Sequence, residues 1–185
     1  MRSLARRLSL TLLCTLALCP CAHHLRAQIP GQPCPDRSQI PVQYTWDLTR
    51  LFPDDTAWDA ERRGLEGDLA GYASFEGTAT DTGAGLLAAL RFDERTRPRV
   101  DRVVLYAQLK SDVDVRSQEA ASRRQLASSL SAKAEAARAF LPAAVARLSD
   151  GQVSRLLREE PQLAPYGHLM DSLRRRQAHT ASGEE

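Results

Sequence analysis

Residues Arg99 to Leu141 read RVDRVVLYAQLKSDVDVRSQEAASRRQLASSLSAKAEAARAFL, a run bounded by Pro98 and Pro142 that holds neither glycine nor proline. Its second half sets Leu126, Leu130, Ala134, Ala137 and Leu141 at helical spacing, with Arg123, Arg124, Lys133 and Arg138 largely off that face, which predicts an amphipathic helix. Its first half is apolar over a broader arc, through Val100, Val103, Val104 and Ala107 with Leu105 and Leu109, and is expected to be buried more deeply. Between the halves lies the polar run Lys110 to Ser117, where Ser and Asp compete for backbone hydrogen bonds and can end one helix while capping the next. The prediction is a helical hairpin; a single kinked helix is the alternative, because nothing in the run forbids helical geometry.

Working outward, the fold class is all-α, an antiparallel helical bundle built on that hairpin. Trp46, Leu48, Leu51 and Phe52 form an apolar cluster that seats the entering chain. Asp54, Asp55 or Thr56 caps a helix whose stripe is Trp58, Arg62 through its stem, Leu65, Leu69 and Tyr72. Gly64, Gly67 and Gly71 each cost that helix about 1 kcal/mol relative to Ala, so packing must hold it. Gly77 to Gly85 reads as a loop, and Leu86, Leu87, Leu90 and Phe92 as a shorter helix before a turn at Arg95 to Pro98. Beyond Pro142 the chain stays helical through Ala143 to Leu148. Ser149 to Gln152 then has the form of a capping box, opening a helix with Val153, Leu156 and Leu157 that Pro161 ends. Leu163, Tyr166, Leu169, Met170 and Leu173 make the last amphipathic helix, closing in Arg174, Arg175 and Arg176, where cations suit the negative helix end.

At 185 residues the chain suits one domain with a real core. Its formal charge of +2 owes everything to residues 1–27, which hold four arginines and no acid; without them 21 basic residues face 23 acidic ones. No electrostatic case for nucleic acid remains. Residues 1–27 have the pattern of a secretory signal peptide: Arg2, Arg6 and Arg7, then an apolar run from Leu8 to Cys19, with cleavage expected after Ala27. That run falls short of the roughly 20 apolar residues of a membrane span. The expected location is secreted or periplasmic, with no membrane attachment once the signal is removed. Residues 28–43 read as a proline-rich linker and 44–185 as the helical domain. Cys14, Cys19 and Cys21 leave with the signal, so the mature chain keeps only Cys34 and has no disulfide framework.

Reactive chemistry is sparse. The histidines are His23, His24, His168 and His179, and no H-E-x-x-H, phosphate-binding glycine loop or G-x-S-x-G elbow occurs. His168 and Asp171 stand three apart on a helix and could face one ligand, but no second such pair exists. Asp112 and Asp114 are two carboxylates where calcium wants six or more oxygens, so helix-turn capping is the better account. The doublets Arg62-Arg63 and Arg123-Arg124, like the Arg174 run, read as solvated faces, and Trp46, Trp58 and Tyr106 as core aromatics with a polar atom near the surface. No catalytic, cofactor-binding or metal-ligating residue is assigned.

The order Trp46-x-Leu48-x-x-Leu51-Phe52, Trp58, Leu105-Tyr106-Ala107-Gln108-Leu109-Lys110-Ser111-Asp112-Val113-Asp114, Leu163-x-x-Tyr166 and His179-x-x-Ser182-x-x-Glu185 resembles the amino-terminal domain of oligoendopeptidase F. Ala181, where that family usually has leucine, departs from the pattern. The resemblance implies a helical lobe that helps wall a cleft for oligopeptides in a zinc metallopeptidase. Zinc and the catalytic glutamate are then expected in a catalytic metallopeptidase domain as partner, with no cofactor in this chain and no peptide hydrolysis by it alone. Ser182 to Glu185 also has the capping-box form, which predicts that a longer protein would continue here; an acidic tail is the other reading. The alternative function is a free-standing helical module that binds peptide or protein without enzymatic activity.

Overall fold

The computed structural model describes residues 39–177, so the signal segment, Cys34, His179 and the Ser182 to Glu185 box lie outside the described residues. The chain divides into two units, Met1–Trp46 and Asp47–Glu185. In the first, the described segment includes the 3₁₀ turn Val42–Tyr44. The second is all-α: helices α1 (Asp55–Asp68), α2 (Gly83–Val113), α3 (Gln118–Arg138), α4 (Phe140–Ala146), α5 (Asp150–Glu159) and α6 (Gly167–Gln177) are joined by turns and 3₁₀ segments, with no strand among the described residues.

The hairpin is present. α2 stops at Asp114, whose backbone is extended, and α3 starts on Ser117, whose side chain accepts from the Ala120 N–H. The turn between α5 and its predecessor also follows the sequence closely: the Ser149 hydroxyl accepts from the Gln152 N–H while the Gln152 amide oxygen accepts from the Ser149 N–H. At α1 the capping residue is Asp54, accepting from Ala57 N–H at 2.8 Å. The α1 stripe is buried as spaced: Trp58, Arg62 and Leu65, then Leu69 and Tyr72 on the 3₁₀ continuation Leu69–Phe75.

Four details differ from the sequence reading. First, no turn interrupts Arg95 to Pro98; α2 runs through Pro98 as one helix of 31 residues, roughly 46 Å at 1.5 Å per residue. Pro98 is exposed, so water can serve the carbonyl that its ring leaves without a donor, while Thr96 and Val100 on either side are buried. Pro142 likewise does not bound a helix; it sits in the first turn of α4, where its missing N–H has no intrahelical partner to lose. Second, the buried face of α3 is Ala120, Arg123, Ala127, Leu130 and Ala134, and Leu126 is 44% exposed. The rest of the expected stripe holds, with Leu130, Ala134 and Leu141 buried and Ala137 packed against the core, while Ala120, Arg123 and Ala127 extend the buried face where Leu126 was expected. Third, Leu105 on α2 and Leu169 on α6 are exposed rather than buried. Fourth, Trp46 is 56% exposed; the buried anchor of the entry is Phe52, which follows an Asp47-capped 3₁₀ turn, Leu48–Arg50.

α2 is the spine because it serves two cores. Its second half joins Trp58, Leu65, Tyr72 and the α3 face in one cluster, with Val103, Tyr106 and Ala107 at most 2% exposed. Its first half, through Leu86, Leu87 and Leu90, joins Leu141, Val145, Leu156, Leu163 and Met170 in a second. A helix shared this way fixes the hairpin against α4, α5 and α6, and Gly83 at its start lets it approach α5: a Cβ there would lie 2.7 Å from Glu160 Cβ and 2.8 Å from the Leu156 carbonyl oxygen.

Candidate functional site

A polar cluster in the second unit is built on Asp55, the first residue of α1. Asp54 turns the chain into the helix, which places the Asp55 carboxylate beside α2 and α3. The Tyr106 hydroxyl donates to Oδ1 at 2.7 Å, Arg123 Nη2 donates to Oδ2 at 2.7 Å, and Lys110 Nζ lies 3.4 Å away. Aromatic rings floor the cluster. Tyr106 meets Phe52 edge-on and stacks on Trp58, the Trp58 indole N–H donates to the Val103 carbonyl at 2.9 Å, and the Arg123 guanidinium lies 5.6 Å over the Trp58 ring. Burial pushes the Tyr106 hydroxyl pKa up, and its bond to Asp55 pushes it further. Burial alone would raise Asp55, but Tyr106, Arg123 and Lys110 together hold it below the usual carboxylate range.

The same arrangement recurs at the far end of α3. Asp93 of α2 accepts from the Tyr72 hydroxyl at 2.8 Å and from Arg138 Nε and Nη2 at 2.8 and 3.1 Å. Each cluster is a tyrosine, an aspartate and an arginine drawn from three successive segments, so each pins α1 or its continuation to α2 and α3. Arg99 adds a third tie from α2 to α1, donating to Glu61 at 2.8 Å and Asp68 at 2.7 Å.

Beside Asp55, an open cleft of about 640 Å³ runs between α1 and α3, with Trp58, Arg62, Arg123 and Leu126 on its walls. Its ionic groups are already engaged: Arg62 bonds Asp59 and Glu66, and Arg123 bonds Asp55 and Glu119. Arg62 and Arg123 are each 8% exposed, whereas Arg63 and Arg124 are exposed, so only the second arginine of each doublet lies on a solvated face; the first satisfies its charge along one rim of the buried stripe. Acids bound by arginine and tyrosine offer neither a free nucleophile nor a proton-transfer pair. The cleft is built to keep its shape.

The other candidates stay apart. His168 and Asp171 are both exposed on α6, and among the described residues no group of three or more His, Cys, Asp or Glu could hold a metal ion. A zinc site therefore does not fit the described residues. Asp114 accepts from the Arg116 N–H and Nε, the turn role read for it, whereas Asp112 accepts from the Gln108 side-chain amide one turn back along α2, a bond within the helix and not a cap. Arg174 reaches back to the Leu148 carbonyl and the Asp150 carboxylate instead of only closing its own helix. Sequence reasoning missed Asp55, Asp93 and Arg138 as a set, since their pairings join positions 45 and 68 residues apart.

The fold and its locks define an all-α bundle whose ionisable groups hold helices together. No family model matches the chain. Among known proteins it is similar to oligopeptidase PepF of Bacillus subtilis, 25% identical over 151 residues, which are 82% of this chain and 22% of that protein. Group B oligopeptidase PepB of Streptococcus agalactiae is 27% identical over 150 residues, 81% of this chain and 25% of that protein. The crystal structure of oligoendopeptidase-F from Enterococcus faecium superposes with a TM-score of 0.63 at 27% identity, covering 71% of this chain and 26% of that one. A structure from Chlamydophila abortus, at 24% identity and a TM-score of 0.64, shares the fold. The resemblance to oligoendopeptidase F read from the motifs thus holds, and the chain spans about a quarter of the length of the curated relatives it matches.

Proposed function

We propose that this chain is the helical cover lobe of an exported zinc oligoendopeptidase, walling a peptide cleft whose metal and reacting groups belong to a partner catalytic domain. The observation that carries the reading is the match of four fifths of this chain to about a quarter of the length of PepF-type oligopeptidases. The three ties from α1 to its neighbours support it, because a cleft wall must keep its contour while peptides come and go. In this reading zinc lies on the partner, where an H-E-x-x-H helix would supply two histidines and a general base. Export rests on the arginine-rich start and the apolar run from Leu8 to Cys19.

Two measurements test it. The DNA downstream should encode H-E-x-x-H, in phase or in an adjacent frame, and the purified chain alone should not cleave short peptides in a zinc-dependent way. Cleavage by the chain alone would overturn the proposal, and an unrelated downstream gene would favour a free-standing binding module. Amino-terminal sequencing of the protein recovered outside the cytoplasm should begin at Gln28.

A further inference from the structure

Val42, Tyr44 and Trp46 occupy alternate positions of one short segment and are 84%, 73% and 56% exposed. The segment has a defined shape. Pro41 precedes the 3₁₀ turn, the Tyr44 N–H donates to the Pro41 carbonyl at 2.9 Å, and Thr45 donates to the Val42 carbonyl through its N–H at 2.9 Å and its hydroxyl at 2.8 Å. Elsewhere among the described residues, large exposed apolar side chains come singly: Leu105 on α2, Val115 in the turn after it, Leu126 on α3 and Leu169 on α6. Single exposures are ordinary on any surface, but three within five residues, two of them aromatic, have the composition of an interface core. No charge falls between Val42 and Trp46. A turn already fixed by its own hydrogen bonds loses little freedom on docking.

We propose that Val42, Tyr44 and Trp46 form the strip by which this lobe docks on the metal-bearing catalytic domain, an inference that rests on the function proposed above. The occupant follows from the coverage: about three quarters of the length of each PepF-type relative lies outside the match to this chain, and that remainder is the body accompanying such a lobe in those proteins. To test this, the locus is expressed together with its downstream frame in a host that reads an amber codon as p-benzoylphenylalanine. The photo-crosslinker replaces Tyr44 or, as control, the exposed Ser128 of α3, and adducts are mapped by mass spectrometry. Position 44 should cross-link to the polypeptide segment carrying H-E-x-x-H at least tenfold more than position 128. Trp46→Ala should cut that yield tenfold or more without changing the circular dichroism of the lobe. If the H-E-x-x-H segment is present but adducts fall only on residues 47–177, or nowhere, the docking strip is wrong and the proposed function stands. If the locus encodes no such segment, both fail.

Discussion

The Arg123 guanidinium on α3 donates to the Asp55 carboxylate at the start of α1 across 2.7 Å, although 68 positions separate them in sequence. Arg123 is nearly enclosed, its side chain 9% exposed, whereas that of Asp55 is 41% exposed. The pair is therefore asymmetric: removing the acid strands a cation that cannot easily reach water. Asp55→Ala also takes the acceptor from the Tyr106 hydroxyl and leaves Arg123 with Glu119. Breaking a fully buried pair costs roughly 3–5 kcal/mol, and the exposure of Asp55 brings the expected loss down to about 2 kcal/mol. Urea denaturation checks this, with Asp112→Ala, at the exposed end of α2, expected within about 0.5 kcal/mol of the parent.

Stability should fall at both extremes of pH. In the folded state the carboxyls of Asp55 and Asp93 are held below their ordinary values, since their arginine and tyrosine partners outweigh the effect of burial, and Glu61 is held down chiefly by Arg99. A depressed folded pKa contributes stability that is present above the unfolded value, about 4, and is lost as pH falls through the folded one. Tyr72 and Tyr106 go the other way: burial first, then their aspartate partners, raise them. Their contribution is present below about pH 10 and is lost as pH rises past it toward the folded value. The urea midpoint should thus be nearly level across the neutral range, fall below about pH 4 and fall again above about pH 10. Asp55→Asn should flatten the acid limb.

How far the sequence revealed these locks depends on how local each signal is. The Ser149 box, the Ser117 cap and the α1 stripe were legible because capping and helical periodicity act within four residues. Arg123 was not, because its place on the buried face depends on Asp55 and Trp58, contributed by another helix. Within the α3 stripe, Leu130, Ala134 and Leu141 were legible from spacing, and only Leu126 went astray for a related reason. Hydropathy favours Leu126, yet Ala120 and Ala127 line the buried face beside Arg123, and Leu126 is left on the wall of the cleft. The tyrosine, aspartate and arginine clusters required partners from three segments, which no single helix face could indicate.

Two glycines should respond in opposite directions. Gly83→Ala would place a Cβ 2.7 Å from Glu160 Cβ, 2.8 Å from the Leu156 carbonyl oxygen and 3.0 Å from the Glu160 nitrogen, mostly backbone that cannot swing aside. Forcing α2 away from α5 should cost roughly 1–3 kcal/mol. Gly64 lies within α1 with nothing within 4 Å of its would-be Cβ, so Gly64→Ala should stabilise by up to about 1 kcal/mol through helix propensity. Thermal melts of the two variants beside the parent separate the effects by sign.

Pro98 offers the sharpest test of α2 as a single spine. It stands inside a 31-residue helix, where it cannot donate to the Glu94 carbonyl and its ring crowds that oxygen, a cost of about 3 kcal/mol in an ordinary helix interior. Because Pro98 is exposed, water recovers part of this, and the proline also restricts the unfolded chain, worth up to about 1 kcal/mol in its favour. Pro98→Ala should therefore stabilise the protein by about 1–2 kcal/mol, a rise of roughly 2–8 °C in Tm for a domain of this size. The opposite outcome has a definite meaning. Leu90 seats one core and Val103 the other, thirteen residues apart on the same helix. A lower Tm for Pro98→Ala would mean that both seats need a bend at Pro98 and that α2 acts as two segments set at an angle by the proline.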